Sequence, residues 1–148
     1  LITNQWVNSY KRLVPGFEAP THANWSLTNY SDLIRVPQFN IQQKDSARIE
    51  YRVADPACNP YLVLSAVLAA GLEGINQKYK LKNITDADAK KLPESLGESI
   101  KLFKESKLMI KLLGKDSFNA LIKNKEEEWE KYKKHVSNYE LENYLSIL

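Results

Sequence analysis

A chain of 148 residues with 43% hydrophobic and 26% charged side chains is long enough for one packed core and too apolar for a disordered segment. Its net charge of +3 comes mostly from lysines scattered among glutamates, which does not point to a nucleic-acid partner. The single cysteine, Cys58, excludes an intramolecular disulfide and a cysteine-based zinc cluster.

The first 58 residues are punctuated by Pro15-Gly16, Pro20, Pro37 and Asp55-Pro56, a pattern of short runs and turns. Extended segments are expected at 21–26, 32–37 and 47–53. In the third, Ala47, Ile49, Tyr51 and Val53 alternate with Arg48, Glu50 and Arg52, the period of a strand with one face in the core. Asn59-Pro60 then marks a helix start, because Asn accepts from the free N–H groups of the first turn and Pro suits the first helical position. The helix expected over 60–79 is apolar nearly all round through Leu62, Ala66, Ala69, Leu72 and Ile75, which predicts burial on most sides. A polar connection with Thr85, Asp86 and Asp88 follows. Ser95 and Glu98 have capping-box spacing ahead of Leu96, Ile100 and Phe103. A short helix over 107–113 is expected to stop at Gly114. From 116 to 136, Phe118, Leu121, Ile122, Trp129, Tyr132 and Val136 form an apolar stripe, read as core or a subunit contact. Lys123, Lys125, Glu126, Glu127, Glu130, Lys133 and Lys134 form the opposite face, read as solvated and laced by i,i+4 pairs. A last helix at 139–145 is capped by Ser137 with Glu140.

The architecture predicted is therefore α+β. Short antiparallel strands occupy the N-terminal third and a layer of about five helices follows. The strand-and-loop half is 1–58 and the helical half 59–148. The longest apolar run, 61–72, is broken by Ser65 and too short for a bilayer, and no signal-peptide pattern opens the chain, so a cytoplasmic location without a membrane partner is expected. The chain begins at Leu1 and its only methionine is Met109, from which we expect a piece of a longer protein.

Chemistry concentrates in the strand at 47–53. Alternation places Arg48, Glu50 and Arg52 on one face, each about 7 Å from the next. Guanidinium groups at that spacing can grip carboxylate or phosphate oxygens through paired N–H donors, and the carboxylate can hold a divalent cation. The same ladder also serves as a solvated charged face, and the pattern alone leaves both readings open. Arg12 and Arg35 lie in the same half, so every arginine precedes residue 53, an asymmetry that favours anion binding there.

The segment Asn8-Ser9-Tyr10-Lys11-Arg12-Leu13-Val14-Pro15-Gly16-Phe17-Glu18-Ala19-Pro20 resembles the NSYKRLVPGYEAP segment of glutamine synthetases. Ala47-Arg48-Ile49-Glu50-Tyr51-Arg52 and Asp55-Pro56-Ala57-Cys58-Asn59-Pro60-Tyr61-Leu62 are similar to that family's RxExR strand and PDPAANPYL helix start. Leu68 to Ile75 and the segments Glu128 to Tyr132 and Glu140 to Leu145 fit the remainder in order. The resemblance implies the C-terminal part of a catalytic domain whose full-length enzyme joins ammonia to the γ-carboxyl of glutamate through a γ-glutamyl phosphate, using ATP and Mg2+ or Mn2+. It implies that Arg12 and Arg52 bind the carboxylates of L-glutamate. Glu18 would lie on a flap over the intermediate and help take a proton from ammonium. Arg35 and Arg48 would face the ATP phosphates, and Glu50 would ligate one metal. It further implies a homo-oligomeric ring, expected as a dodecamer, with sites between neighbouring subunits.

Departures from the pattern matter. Where the family reads S-x-R-N-R-S, this chain has Ser26-Leu27-Thr28-Asn29-Tyr30-Ser31, so Tyr30 and Thr28 stand in place of arginines. That leaves two alternatives to the synthetase: a γ-glutamyl-amine ligase, or a non-catalytic relative that binds nucleotide or glutamate. Asp45 stands where some members have a nucleotide-contacting lysine, with Lys44 beside it. No tyrosine between Asn83 and Pro93 offers an acceptor for adenylylation. The family's metal-binding glutamate pairs, Asn-Gly loop and His-containing nucleotide motif belong to earlier parts of its chain, so the resemblance implies half a site, inactive alone. His22 and His135 lack partners at ligand spacing, and Cys58 reads as a small residue packed at a helix start.

Overall fold

The computed structural model describes residues 1–17, 19–38, 40, 42, 44–81 and 88–147. After a 3-10 turn at Val7–Arg12 come strands β1 (Trp25–Ser26), β2 (Ile34–Arg35) and β3 (Glu50–Tyr51), with a second 3-10 turn at Lys44–Ser46. Helices α1 (Pro60–Asn76), α2 (Leu96–Lys104), α3 (Lys107–Lys133) and α4 (Asn138–Tyr144) follow. The α+β order predicted from sequence is the one observed. Inside α3, Gly114 has φ 73° and ψ 159°, so two helical arms meet at a kink, and counting them separately gives five helices among the described residues, in line with the layer of about five expected. Positive φ is open to glycine because it has no Cβ.

The strands pair in the order β1-β2-β3, but only β2 and β3 are antiparallel; β1 and β2 run parallel, which corrects the all-antiparallel expectation. Parallel neighbours ordinarily need a crossover of about a dozen residues or more. Here each strand has two residues, and the loop 27–33 is folded tightly by side chains. The buried Asn24 donates to Asp32 Oδ1 at 2.7 Å and accepts from the Leu33 N–H at 3.0 Å, while Asn29 reaches the same carboxylate at 3.1 Å. The start of the expected 21–26 strand pairs elsewhere: Ala23 N–H donates to Lys90 O and Leu92 N–H to Thr21 O, both at 2.8 Å. His22 lies opposite Lys91 in that pairing, which ties the strand half to the helical half.

The core has two parts. Tyr10, Leu13, Ala19, Val53, Leu96 and Ile100 form one, with Trp129 packed against it. Ile2, Phe103, Phe118 and Ile122 form the other, in which the Phe103 and Phe118 rings stack with centroids 4.9 Å apart. Helix α2 is the wedge between them. Ser95 caps it by accepting from the Glu98 N–H at 3.2 Å, and a Cβ at Gly97 would meet the Trp129 indole at 2.7 Å, so glycine lets α2 and α3 approach. The predicted box is not closed at Ser95, however: the Glu98 carboxylate accepts from the Glu94 N–H at 2.9 Å.

Two sequence expectations are overturned. Helix α1 buries none of its residues. One side, with Leu62, Val63 and Ala66, packs on the second core cluster, but Tyr61, Leu64, Leu68 and Ile75 are 64–80% exposed. Among the described residues no element covers that outer face. Ile49, expected in the core, is likewise 61% exposed and lines an open apolar cleft of about 620 Å³ between β3 and α1. The second reversal is Lys125, assigned to a solvated face but buried. Its Nζ pairs with Glu128 at 2.7 Å and lies 4.1 Å from the centre of the Trp6 ring, while the Trp6 indole donates to Ala57 O. The spacing 118, 122, 125, 129 continues the apolar stripe, so helical periodicity carried this signal and residue type masked it.

Helix ends follow local chemistry. Asn59 Oδ1 accepts from the Tyr61 and Leu62 N–H groups, with Pro60 at the first position, as predicted. Helix α1 stops earlier than expected, where Lys78 adopts φ 52° and Tyr79 N–H bonds back to Gly74 O at 3.0 Å. Ser137 and Glu140 close the predicted box on α4.

Candidate functional site: an arginine cluster on one carboxylate

Strand pairing assembles the charged cluster. The register places Arg35 directly opposite Glu50, so the two side chains leave the sheet on the same face. Arg35 grips the carboxylate bidentately, Nε to Oε2 at 2.8 Å and Nη2 to Oε1 at 3.0 Å. Along β3, alternation brings Arg48 and Arg52 to the same carboxylate. Arg48 Nη2 reaches Oε1 at 3.2 Å, and Arg52 Nη1 lies 3.6 Å from Oε2. Arg35 and Arg52 are mostly covered, and Arg48 is more than half exposed.

These contacts act on the carboxylate itself. Hydrogen bonding from Arg35, with its charge and a smaller contribution from Arg48, holds Glu50 down to about 2 from the usual 4.5. The same pairing pushes Arg35 above the ordinary arginine value. Glu50 is thus a fixed anion over the whole physiological range. Three guanidinium groups share this one carboxylate, so within the cluster two positive charges remain in excess. Such a surface suits an anion with planar oxygens, a carboxylate or a phosphate.

Tyr30 is the member that the alternation pattern does not reveal. It sits in the loop between β1 and β2, and its ring lies 4.1 Å from the Arg35 guanidinium and 5.1 Å from that of Arg52. Its carbonyl also accepts from Arg52 Nε at 2.7 Å. The sequence marks position 30 only as a missing arginine; the non-local packing of the loop turns it into a cover for two others.

Arg12 stands at the neighbouring end of β3. It leaves the first 3-10 turn and donates through Nη2 to Val53 O at 2.7 Å and Ala54 O at 3.2 Å, just beyond Arg52. The turn is held by Tyr10, whose hydroxyl donates to Asn4 O at 2.7 Å and is pushed up to about 12 by burial. Asn4 in turn donates to Val53 O at 3.1 Å, so Arg12 and Asn4 converge on one carbonyl. Of the residues singled out from sequence, Arg35, Arg48, Glu50 and Arg52 meet directly, and Arg12 joins through the backbone. Glu18 lies outside the described residues; next to it Phe17 is exposed and Ala19 is buried.

The described residues do not fit a divalent cation by themselves. Such an ion takes six or more oxygens, commonly from several carboxylates. Both Glu50 oxygens are committed to arginines, and among the described residues no group of three or more His, Cys, Asp or Glu side chains is placed to hold a metal. His22 spends its Nδ1 on Thr21 Oγ1 at 2.9 Å.

Known proteins match the chain over nearly its whole length. A family model described as glutamine synthetase, catalytic domain, matches residues 1–144. The glutamine synthetase of Mycolicibacterium smegmatis is 44% identical over 99% of this chain, and that of Methanosarcina mazei 42% identical over 99%. The chain spans little more than a third of these relatives, 36% and 35% of their lengths. The cryo-EM structure of Plasmodium falciparum glutamine synthetase superposes with a TM-score of 0.84 over 97% of this chain and 38% of its own, at 24% identity, a likeness of fold. With residues 1–144 matched by the catalytic-domain model and 99% of its length by a relative 44% identical to it, the chain belongs to the glutamine synthetase family.

Proposed function

We propose that this chain is the C-terminal part of the catalytic domain of a glutamate–ammonia ligase, supplying the anion-binding half of an active site that is inactive without the rest of the subunit. The observation that carries the reading is the convergence of Arg35, Arg48 and Arg52 on Glu50, a preformed cationic surface beside Arg12. Arg12 and Arg52 grip the carboxylates of L-glutamate. Arg35 and Arg48 face the phosphates of ATP, where phosphoryl transfer needs fixed positive charge more than it needs a protein nucleophile. Glu18, two positions after Gly16 in the sequence, takes the proton that ammonium must lose before its nitrogen attacks the γ-carbonyl of the acyl phosphate and phosphate leaves. Magnesium or manganese belongs to the proposal only with further carboxylates from beyond this chain; Glu50 alone, already paired, is not a metal site.

The exposed apolar face of α1 and the cleft beside it support a larger body in which other segments or subunits cover them, in keeping with a homo-oligomeric ring. Among the described residues no helix is long and apolar enough to cross a membrane, and the proposed location is the cytoplasm.

The test is glutamine formation by the full-length subunit from glutamate, ammonia and ATP, with phosphate release followed in parallel. Release that requires another amine moves the assignment to a γ-glutamyl-amine ligase. Tyr30 favours a second reading, a relative that binds nucleotide or glutamate without turnover. Tyr30→Arg in the full-length protein separates the two: activity that appears or rises marks a slowed synthetase, and ligand binding without turnover in both forms marks the non-catalytic relative.

A further inference from the structure

Three guanidinium groups on one carboxylate repel one another, and something besides Glu50 must hold them in place when no anion is bound. Arg35 Nε donates to Oε2 of Glu50 at 2.8 Å, and Arg52 Nη1 lies 3.6 Å from the same oxygen. Tyr30 lies against both guanidinium groups. Its ring presents the electron-rich face to Arg35 at 4.1 Å and to Arg52 at 5.1 Å, both within the distance at which a cation is attracted to an aromatic face. The Tyr30 carbonyl takes the Arg52 Nε proton at 2.7 Å, which fixes the plane of that guanidinium. The loop that carries the ring is tied by its own hydrogen bonds: Ser31 N–H donates to Asn29 Oδ1 at 3.0 Å, Asn29 N–H to Ser26 Oγ at 2.9 Å, and Asn29 is linked to the buried Asp32. About half of Tyr30 remains exposed, so the residue is not there to fill a core.

We propose that Tyr30 is a positioning residue that couples the two anion-binding arginines, holding Arg35 on the nucleotide side and Arg52 on the glutamate side in one stack. The assignment of those two sides rests on the function proposed above; the stack itself does not. A neutral ring is suited to this role, because it orients both cations without withdrawing the positive charge that an incoming carboxylate or phosphate needs. Removing the ring therefore loosens both half-sites together, while removing only the hydroxyl, which also interacts with Arg35, keeps the stack.

Two measurements test this with Tyr30→Leu and Tyr30→Phe. In the 148-residue chain, the side-chain NMR resonances of Arg35 and Arg52 should carry upfield ring-current shifts that persist in Tyr30→Phe and vanish in Tyr30→Leu. Unchanged arginine shifts in Tyr30→Leu would overturn the stack. In the full-length protein, calorimetric dissociation constants for ATP and for L-glutamate should both rise about two- to fivefold in Tyr30→Leu and rise by less in Tyr30→Phe, which keeps the ring and loses only the hydroxyl's interaction with Arg35. A rise for one ligand alone, or equal losses in the two variants, overturns the coupling. A protein that binds both ligands with the expected pattern yet forms no glutamine loses the proposed activity and keeps the coupling. One that binds neither overturns both.

Discussion

Helix α2 has nine residues and buries four of them, Leu96, Ser99, Ile100 and Phe103; α1 has seventeen and buries none. The more apolar helix is the more exposed one. Composition states how much free energy a helix would gain from a covering surface, but not whether that surface is in the same chain. Helix α2 is amphipathic, so its apolar side can be satisfied by one partner, and Gly97 lets α3 come close enough to supply it. Helix α1 is apolar on several sides and, among the described residues, packs on the second core cluster along Leu62, Val63 and Ala66.

The largest effect should come from the centre of the packed region. Leu96 is fully buried, and Leu96→Ala should destabilise the chain by about 2–5 kcal/mol in denaturant unfolding, by lost burial and the cavity left behind. A loss below about 1 kcal/mol would mean that α2 is no better anchored than α1. Next is Gly97→Ala, whose added Cβ meets the Trp129 indole at 2.7 Å; overpacking of this kind costs about 1–3 kcal/mol, and the Trp129 fluorescence should shift with it.

The charged face of β3 lies between the two extremes. Because Arg35 and its neighbours hold Glu50 down to about 2, its pairing contributes in full above about 4.5, the ordinary carboxyl value, and is lost as pH falls through about 2. The stability gap between wild type and Glu50→Gln should therefore be widest above pH 4.5 and close on acidification. A gap that does not change with pH would show that the arginines do not use the charge of Glu50. The smallest effect is expected on α1. Leu68→Gln, on its exposed face, should change the stability of the chain by less than about 0.5 kcal/mol. A larger loss that grows with protein concentration would reveal copies of the chain covering α1.

What could be read in advance, and what could not, divides along the same line. Helix starts were legible because Asn59, Ser95 and Ser137 act on N–H groups two or three residues away. The ladder Arg48, Glu50, Arg52 was legible because alternation is a property of one strand. Lys125 is polar by type but apolar by position, and its stem lies along the core with the charge paired to Glu128 and covered by Trp6. The 21–23 to 90–92 pairing depends on a partner far along the chain, and the parallel β1–β2 pairing on how Asn24, Asn29 and Asp32 fold the loop between them; no alternation pattern announces either.

By itself, the sequence determined the family, the α+β order, the caps and the set of arginines available for anion binding, since each of these is written in residue types at short spacing. Only the tertiary structure decided that Arg35 faces Glu50, that Tyr30 covers Arg35 and Arg52, and that α1 keeps its apolar side in the open. The physical reason is range. Caps and alternation involve atoms a few residues apart, whereas strand register, aromatic stacking and the presence of a packing partner are settled by parts of the chain that meet only when it folds.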